Sequence, residues 1–125
     1  MTFRRILLVA VLSAVAGCSS SSSPSSSPST TPPTTGSSTA VSIPTNARTL
    51  TTTAFVPNPV AVTVGTTVTW TNNDSIAHDS VADGGMWNSG ILGPGQSFQF
   101  RFATAGTFTY KCTLHPNMVG TVTVQ

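Results

Sequence analysis

Gly106-Thr-Phe-Thr-Tyr-Lys-Cys112 alternates its side chains with a period of two. Phe108, Tyr110 and Cys112 share one face; Thr107, Thr109 and Lys111 share the other. That is the pattern of a half-buried β-strand with Cys112 pointing inward at its end. The same pattern recurs on both sides. Val60, Val62 and Val64 alternate with Ala61 and Thr63, and Val68 and Trp70 with Thr67, Thr69 and Thr71. Phe98, Phe100 and Phe102 alternate with Gln99 and Arg101, and Val122 and Val124 with Thr121 and Thr123. Turn signals separate the runs: Gly65, Asn72-Asn73-Asp74, Gly84-Gly85, Gly93-Pro94-Gly95 and Ala105-Gly106. No stretch has helical periodicity. Short, regularly punctuated strands predict an all-β sandwich, and some 80 residues suffice for one small domain.

The ends of the chain read differently. Residues 1–17 carry Arg4 and Arg5 ahead of an apolar run from Ile6 to Val15, too short to span a bilayer. The run closes on Val15-Ala16-Gly17-Cys18, which resembles a bacterial lipobox. That resemblance implies cleavage before Cys18 and a diacylglyceryl group on its sulfur. Residues 18–40 follow as a Ser/Thr/Pro-rich segment with almost nothing apolar to bury, expected to be a disordered tether. As a coil it would reach roughly 25 Å, and about 70 Å fully extended. Residues 41–125 are the expected folded domain.

The whole chain has five Lys and Arg against three Asp and no Glu. Without Arg4 and Arg5 it carries Arg48, Arg101 and Lys111 against Asp74, Asp79 and Asp83, close to neutral. This excludes the basic patch that nucleic-acid binding needs and weakens long-range steering of a partner.

Directly after the decisive strand comes Cys112-Thr-Leu-His-Pro-Asn-Met118, with His78 the only other histidine. One thiolate, two imidazoles and one thioether are the donor set of a type 1 copper site, a His₂Cys plane with a weak axial Met. His78, Cys112, His115 and Met118 are therefore the expected metal ligands for one copper. Singly, each has a blander reading: a buried Cys is by default an inert small hydrophobe, and a lone His is more often structural. Their joint spacing and parity favour the metal. Met86, in a Gly-rich loop, rivals Met118 as thioether but reads better as rim packing beside a semi-buried Trp87. Trp70 reads as core and Asp83 as a solvated loop residue. Zinc fits less well, since it prefers carboxylate to thioether.

Phe55-Val-Pro-Asn-Pro-Val-Ala-Val-Thr-Val-Gly65, Thr67-Val-Thr-Trp-Thr-Asn-Asn-Asp74, His78 and Ala105-Gly-Thr-Phe-Thr-Tyr-Lys-Cys112 together resemble a plastocyanin/amicyanin-type cupredoxin over nearly all of residues 48–125. The spacing Cys-x₂-His-x₂-Met and Pro116 resemble the short ligand loop of amicyanins. The resemblance implies a Greek-key β-sandwich and a blue copper protein; together with the lipobox, a monomeric extracytoplasmic protein held at a membrane by the lipid on Cys18 is expected. Its role would be to carry single electrons between redox proteins. It implies that His115 is the electron port, with Leu114, Pro116, Met86 and Pro94 as a small apolar docking patch. The family usually has Asn after the upstream His; here Asp79 stands there, and it is expected to support the ligands from behind. A multicopper oxidase or nitrite reductase would need further histidines that the chain lacks, so no enzyme is expected. The alternative to electron transfer is copper capture or delivery outside the cytoplasm, which uses the same ligands.

Overall fold

The computed structural model describes residues 36–125. The expected signal segment, Cys18 and most of the tether lie outside the described residues. Seven strands form two sheets: β1 (Ser38–Ile43), β2 (Val60–Val62), β3 (Thr67–Asn72), β4 (Val81–Ala82), β5 (Ser97–Arg101), β6 (Gly106–Lys111) and β7 (Val119–Val124). One sheet has the order β1-β3-β5, the other β2-β7-β6-β4. The pairs β1/β3 and β2/β7 are parallel; β3/β5, β4/β6 and β6/β7 are antiparallel. The parallel pairs join strands distant in sequence, so the chain crosses between the two sheets. This is the expected all-β sandwich, and the sole helical element described is a 3-10 turn at Ala47–Thr49.

The period of two places the core. Val68 and Trp70 of β3, Tyr110 of β6, Val122 and Val124 of β7 are buried between the sheets. Trp70 packs with Trp87 at 5.4 Å, Tyr110 at 5.6 Å and Phe98 at 5.9 Å between ring centroids. Such offset and edge contacts add to the burial of apolar area that drives the sandwich together. Trp87 is 4 % exposed, a core residue and not the half-buried one expected. Its indole donates to Ser80 Oγ at 3.0 Å, so its one polar atom is satisfied inside.

Two boundaries shift from the sequence expectation. β1 starts at Ser38 and pairs with β3 in the register Ser38↔Thr67, so the last three residues of the expected tether belong to the domain. Side-chain composition hid this, because an edge strand is held by its backbone bonds and tolerates Ser and Thr outward. Val64 is 48 % exposed, since β2 ends at Val62 and the chain turns through Gly65 at φ 92°.

Candidate metal centre

β6 ends at Lys111 and delivers Cys112, fully buried, to one pole of the sandwich. The loop 113–117 turns back at once. Met118 N–H donates to His115 O at 2.9 Å, and Cys112 N–H donates to Met118 O at 3.0 Å. These two bonds hold Cys112, His115 and Met118 in one tight turn, with Met118 fully buried. His78 comes from an extended segment between β3 and β4. It exchanges backbone hydrogen bonds with Leu92 at 3.1 and 2.7 Å. Asn72, buried at the end of β3, donates to Ile76 O and Leu92 O, both at 2.8 Å, and accepts from Asp74 N–H. That amide locks the loop that leads to His78.

The pole brings three ligand atoms within 4.8 Å of one another, from His78, Cys112 and His115. Cys112 Sγ lies 3.8 Å from His78 Nδ1 and 3.6 Å from His115 Nδ1. A metal at about 2.3 Å from sulfur and about 2.0 Å from each nitrogen, with trigonal angles, needs S···N separations of roughly 3.7 Å. Both S···N separations therefore suit one ion shared by Cys112, His78 and His115, and Met118, with its thioether, lies near them at the end of the same turn. The four residues are consistent with a single type 1 copper site.

Supporting contacts fix this arrangement. His78 Nε2–H donates to Asp74 Oδ2 at 3.0 Å, which sets the tautomer and leaves the Nδ1 lone pair facing Cys112. Asp74 is 4 % exposed. The same Oδ2 accepts Ala47 N–H at 3.1 Å, and Oδ1 accepts Ser75 N–H at 2.7 Å. Asp79 bridges the two ligand segments: its N–H donates to Cys112 Sγ at 3.4 Å, and its carboxylate accepts Thr113 N–H at 2.6 Å and the Thr113 hydroxyl. An aspartate thus makes the inter-loop bonds at the position where the family usually has Asn.

Charge follows burial. Burial pushes the Cys112 thiol up, only partly offset by the Asp79 amide, so metal uptake must displace a proton. Burial lowers His115, and the neighbouring His78 and Arg48 lower it further; its ring therefore favours the neutral form that binds metal. Burial alone would raise the Asp74 carboxyl, but hydrogen bonds from His78, Asn46, Ser75 and Ala47 outweigh it and bring it from 3.8 to about 2. A depressed carboxyl stabilises the fold above its unfolded pKa, and that contribution is lost as pH falls through the folded value. The metal-free protein should therefore lose on the order of 2 kcal/mol between pH ~4 and pH ~2 from this group. Asp74→Asn should be less stable at neutral pH and show a flatter acid limb in urea titrations. An unchanged acid limb would assign the loss to other groups.

The remaining expected residues separate. Leu114 is 45 % exposed, Pro116 is exposed beside the half-buried His115, and Pro94 is exposed in the turn whose Gly95 N–H binds Asn72 O. All three lie at the metal pole. Met86 does not join them. It lines a shallow hollow of about 200 Å³ with Ala82, Gly84, Thr107, Phe108 and Thr109. At roughly 3.3 Å per residue, Thr107 is about 16 Å down β6 from Cys112. Met86 thus leaves both the docking patch and the rivalry with Met118. Asp83 is half-exposed and pairs with Lys111 at 2.8 Å. Asp74 was missed in the sequence: it stands in an Asn-Asn-Asp turn, and no periodic spacing ties it to His78.

The profile of copper binding proteins of the plastocyanin/azurin family matches residues 42–125. A plastocyanin of Scenedesmus fuscus is 38 % identical over 84 residues, covering 57 % of this chain and 86 % of its own. The amicyanin of Paracoccus denitrificans is 38 % identical over 69 residues, covering 51 % of this chain and 53 % of its own, so the match spans about half of that relative. Among solved structures, a purple cupredoxin from Nitrosopumilus maritimus superposes with a TM-score of 0.64 at 35 % identity, covering 69 % of this chain and 98 % of that one.

Proposed function

The chain belongs to the plastocyanin/azurin family of copper-binding proteins, and from that membership we propose that it carries single electrons between redox proteins outside the cytoplasm. His78, Cys112, His115 and Met118 would hold one copper, which supplies a one-electron couple when bound. The protein's part is positional. Asp74 and Asp79 hold His78, Cys112 and the loop in one geometry that need not rearrange between oxidation states. The sandwich excludes water from Cys112, Met118 and His78, which are all fully buried.

The observation that carries the reading is an asymmetry between the two imidazoles. His78 is fully buried, whereas His115 reaches the surface between the exposed Leu114 and Pro116. One edge of the site is thus open to a partner through an apolar rim. Leu114, Pro116 and Pro94 make a patch suited to the small interfaces of brief redox encounters. The measurement is reversible voltammetry of the copper-loaded protein together with its electron self-exchange rate. Leu114→Glu should slow self-exchange about tenfold, since it places a charge that must lose its water in the middle of an apolar contact, and leave the visible spectrum unchanged. Slow, irreversible redox cycling with ready loss of Cu(I) to a chelator would favour copper delivery instead.

We further propose that residues 1–17 are a lipoprotein signal, that Cys18 is the lipidated N-terminus, and that the Ser/Thr/Pro segment tethers the domain to a membrane. Each buried acyl methylene contributes ~0.8 kcal/mol, so two chains anchor stably. Mass spectrometry of the native N-terminus should find a diacylated Cys18, and Cys18→Ala should release the protein from membranes. An unmodified Cys18 would sink the anchor but not the copper site.

A further inference from the structure

The described residues hold three cations and three carboxylates, and their pairing is uneven. Asp83 pairs with Lys111. Asp74 is buried and saturated by His78, Ala47 and Ser75; Asp79 is taken up by Thr113. Arg48 and Arg101 are left without a carboxylate among the described residues. Arg101 belongs to the far pole: it pairs with Thr67 at the start of β3, and its guanidinium lies against Gly65. Arg48 belongs to the metal pole. It follows Ala47, whose N–H shares Asp74 Oδ2 with His78 Nε2. Beyond the 3-10 turn, Thr51 O accepts Val119 N–H at 3.5 Å, next to Met118. The turn that carries Arg48 is therefore tied on one side to the His78 loop and on the other to the Met118 loop. Arg48 is exposed, and its charge is felt at His115.

The outer face of the metal pole thus shows apolar Leu114, Pro116 and Pro94 beside a single uncompensated guanidinium. We propose that this face docks an electron-transfer protein whose port is apolar and flanked by a carboxylate, which pairs with Arg48. This rests on the electron-carrier reading and adds the chemistry of the partner to it. Because the domain is nearly neutral overall, Arg48 acts at short range: it orients the encounter and does not steer it from afar. A guanidinium also grips a carboxylate through two parallel N–H···O bonds, which fixes a docking angle that an apolar patch alone leaves free.

The test uses two small one-electron oxidants of opposite charge, hexacyanoferrate(III) and tris(phenanthroline)cobalt(III), on the reduced copper-loaded protein. In each reaction the protein loses one electron and the probe gains one. At low ionic strength Arg48→Gln should slow the reaction with hexacyanoferrate(III) about three- to tenfold and quicken that with the cobalt complex, both effects shrinking with salt. Arg48→Lys should restore the anionic rate, and Arg101→Gln should alter neither reaction appreciably. In metal-free protein, redox-inert hexacyanocobaltate(III) should shift the amide resonances of residues 47–50 and 113–117, and lose that effect in Arg48→Gln. Equal effects of Arg48→Gln and Arg101→Gln would mean that only net charge matters and would overturn the proposal. So would amide shifts centred elsewhere. Failure of the protein to exchange electrons with either probe would instead overturn the electron-carrier reading itself.

Discussion

Cys112→Ser should abolish the intense visible absorption of the copper-loaded protein. It should also lower copper affinity by more than the ~10–100-fold that loss of a supporting partner costs a metal site. Cys112 is the single thiol of residues 36–125, fully buried, with its sulfur 3.8 and 3.6 Å from the two imidazole nitrogens. The colour of such sites comes from charge transfer out of a thiolate, and a serine hydroxyl is a hard donor that stays protonated. Asp79 N–H would still find an acceptor in the serine oxygen, so the fold should survive and the metal chemistry alone should fail. Visible spectra and competitive chelator titration read the two effects. Met118→Leu is the contrast, because it removes the axial thioether but leaves the His₂Cys plane; it should keep the colour and shift the potential. A Cys112→Ser protein that stays coloured would show that the copper sits elsewhere.

Gly120→Ala should cost about 3 kcal/mol or more, an effect as large as emptying part of the core. Gly120 lies in β7 opposite Tyr110 of β6. A methyl group there would come within 2.6 Å of the Tyr110 ring. That ring cannot swing away. It packs against Phe55 at 4.7 Å and Trp70 at 5.6 Å, and its buried hydroxyl has a pKa pushed well above the usual tyrosine range by desolvation. Relief has to come from β7 lifting off β6. Gly120 is two residues from Met118, whose carbonyl holds the Cys112 amide, so the copper spectrum should change along with stability. Gly84→Ala, where nothing lies within 4 Å of the added carbon, should stay within about 0.5 kcal/mol of the parent. Urea unfolding of the two variants checks both, and a Gly120→Ala protein of parental stability would refute the packing argument.

The fold and the donor set were legible because each is written in short-range pattern. A period of two names the buried face of a strand whatever its partner, so Trp70, Tyr110 and Cys112 could be placed inward without knowing the sheet order. Soft donors are few in this chain, so Cys112, His115 and Met118 marked themselves by spacing in one loop, and His78 by elimination. Tertiary structure alone decided what depends on which segments meet. Ser38 joins β1 because β3 offers it a paired edge, a backbone relation that side-chain composition does not record. Met86 lies down β6 from the metal pole because its loop folds against Thr107–Thr109, although its type and its glycines suited either end. Asp74, only four residues before His78, became its partner because the Asn72 side chain shapes the loop between them, and Arg48 became the exposed charge above the site because a 3-10 turn 27 residues upstream of Asp74 closes onto that loop through one hydrogen bond. Pairings across such distances are set by the register of the sheets and the packing between them, and no local periodicity in the sequence carries that information.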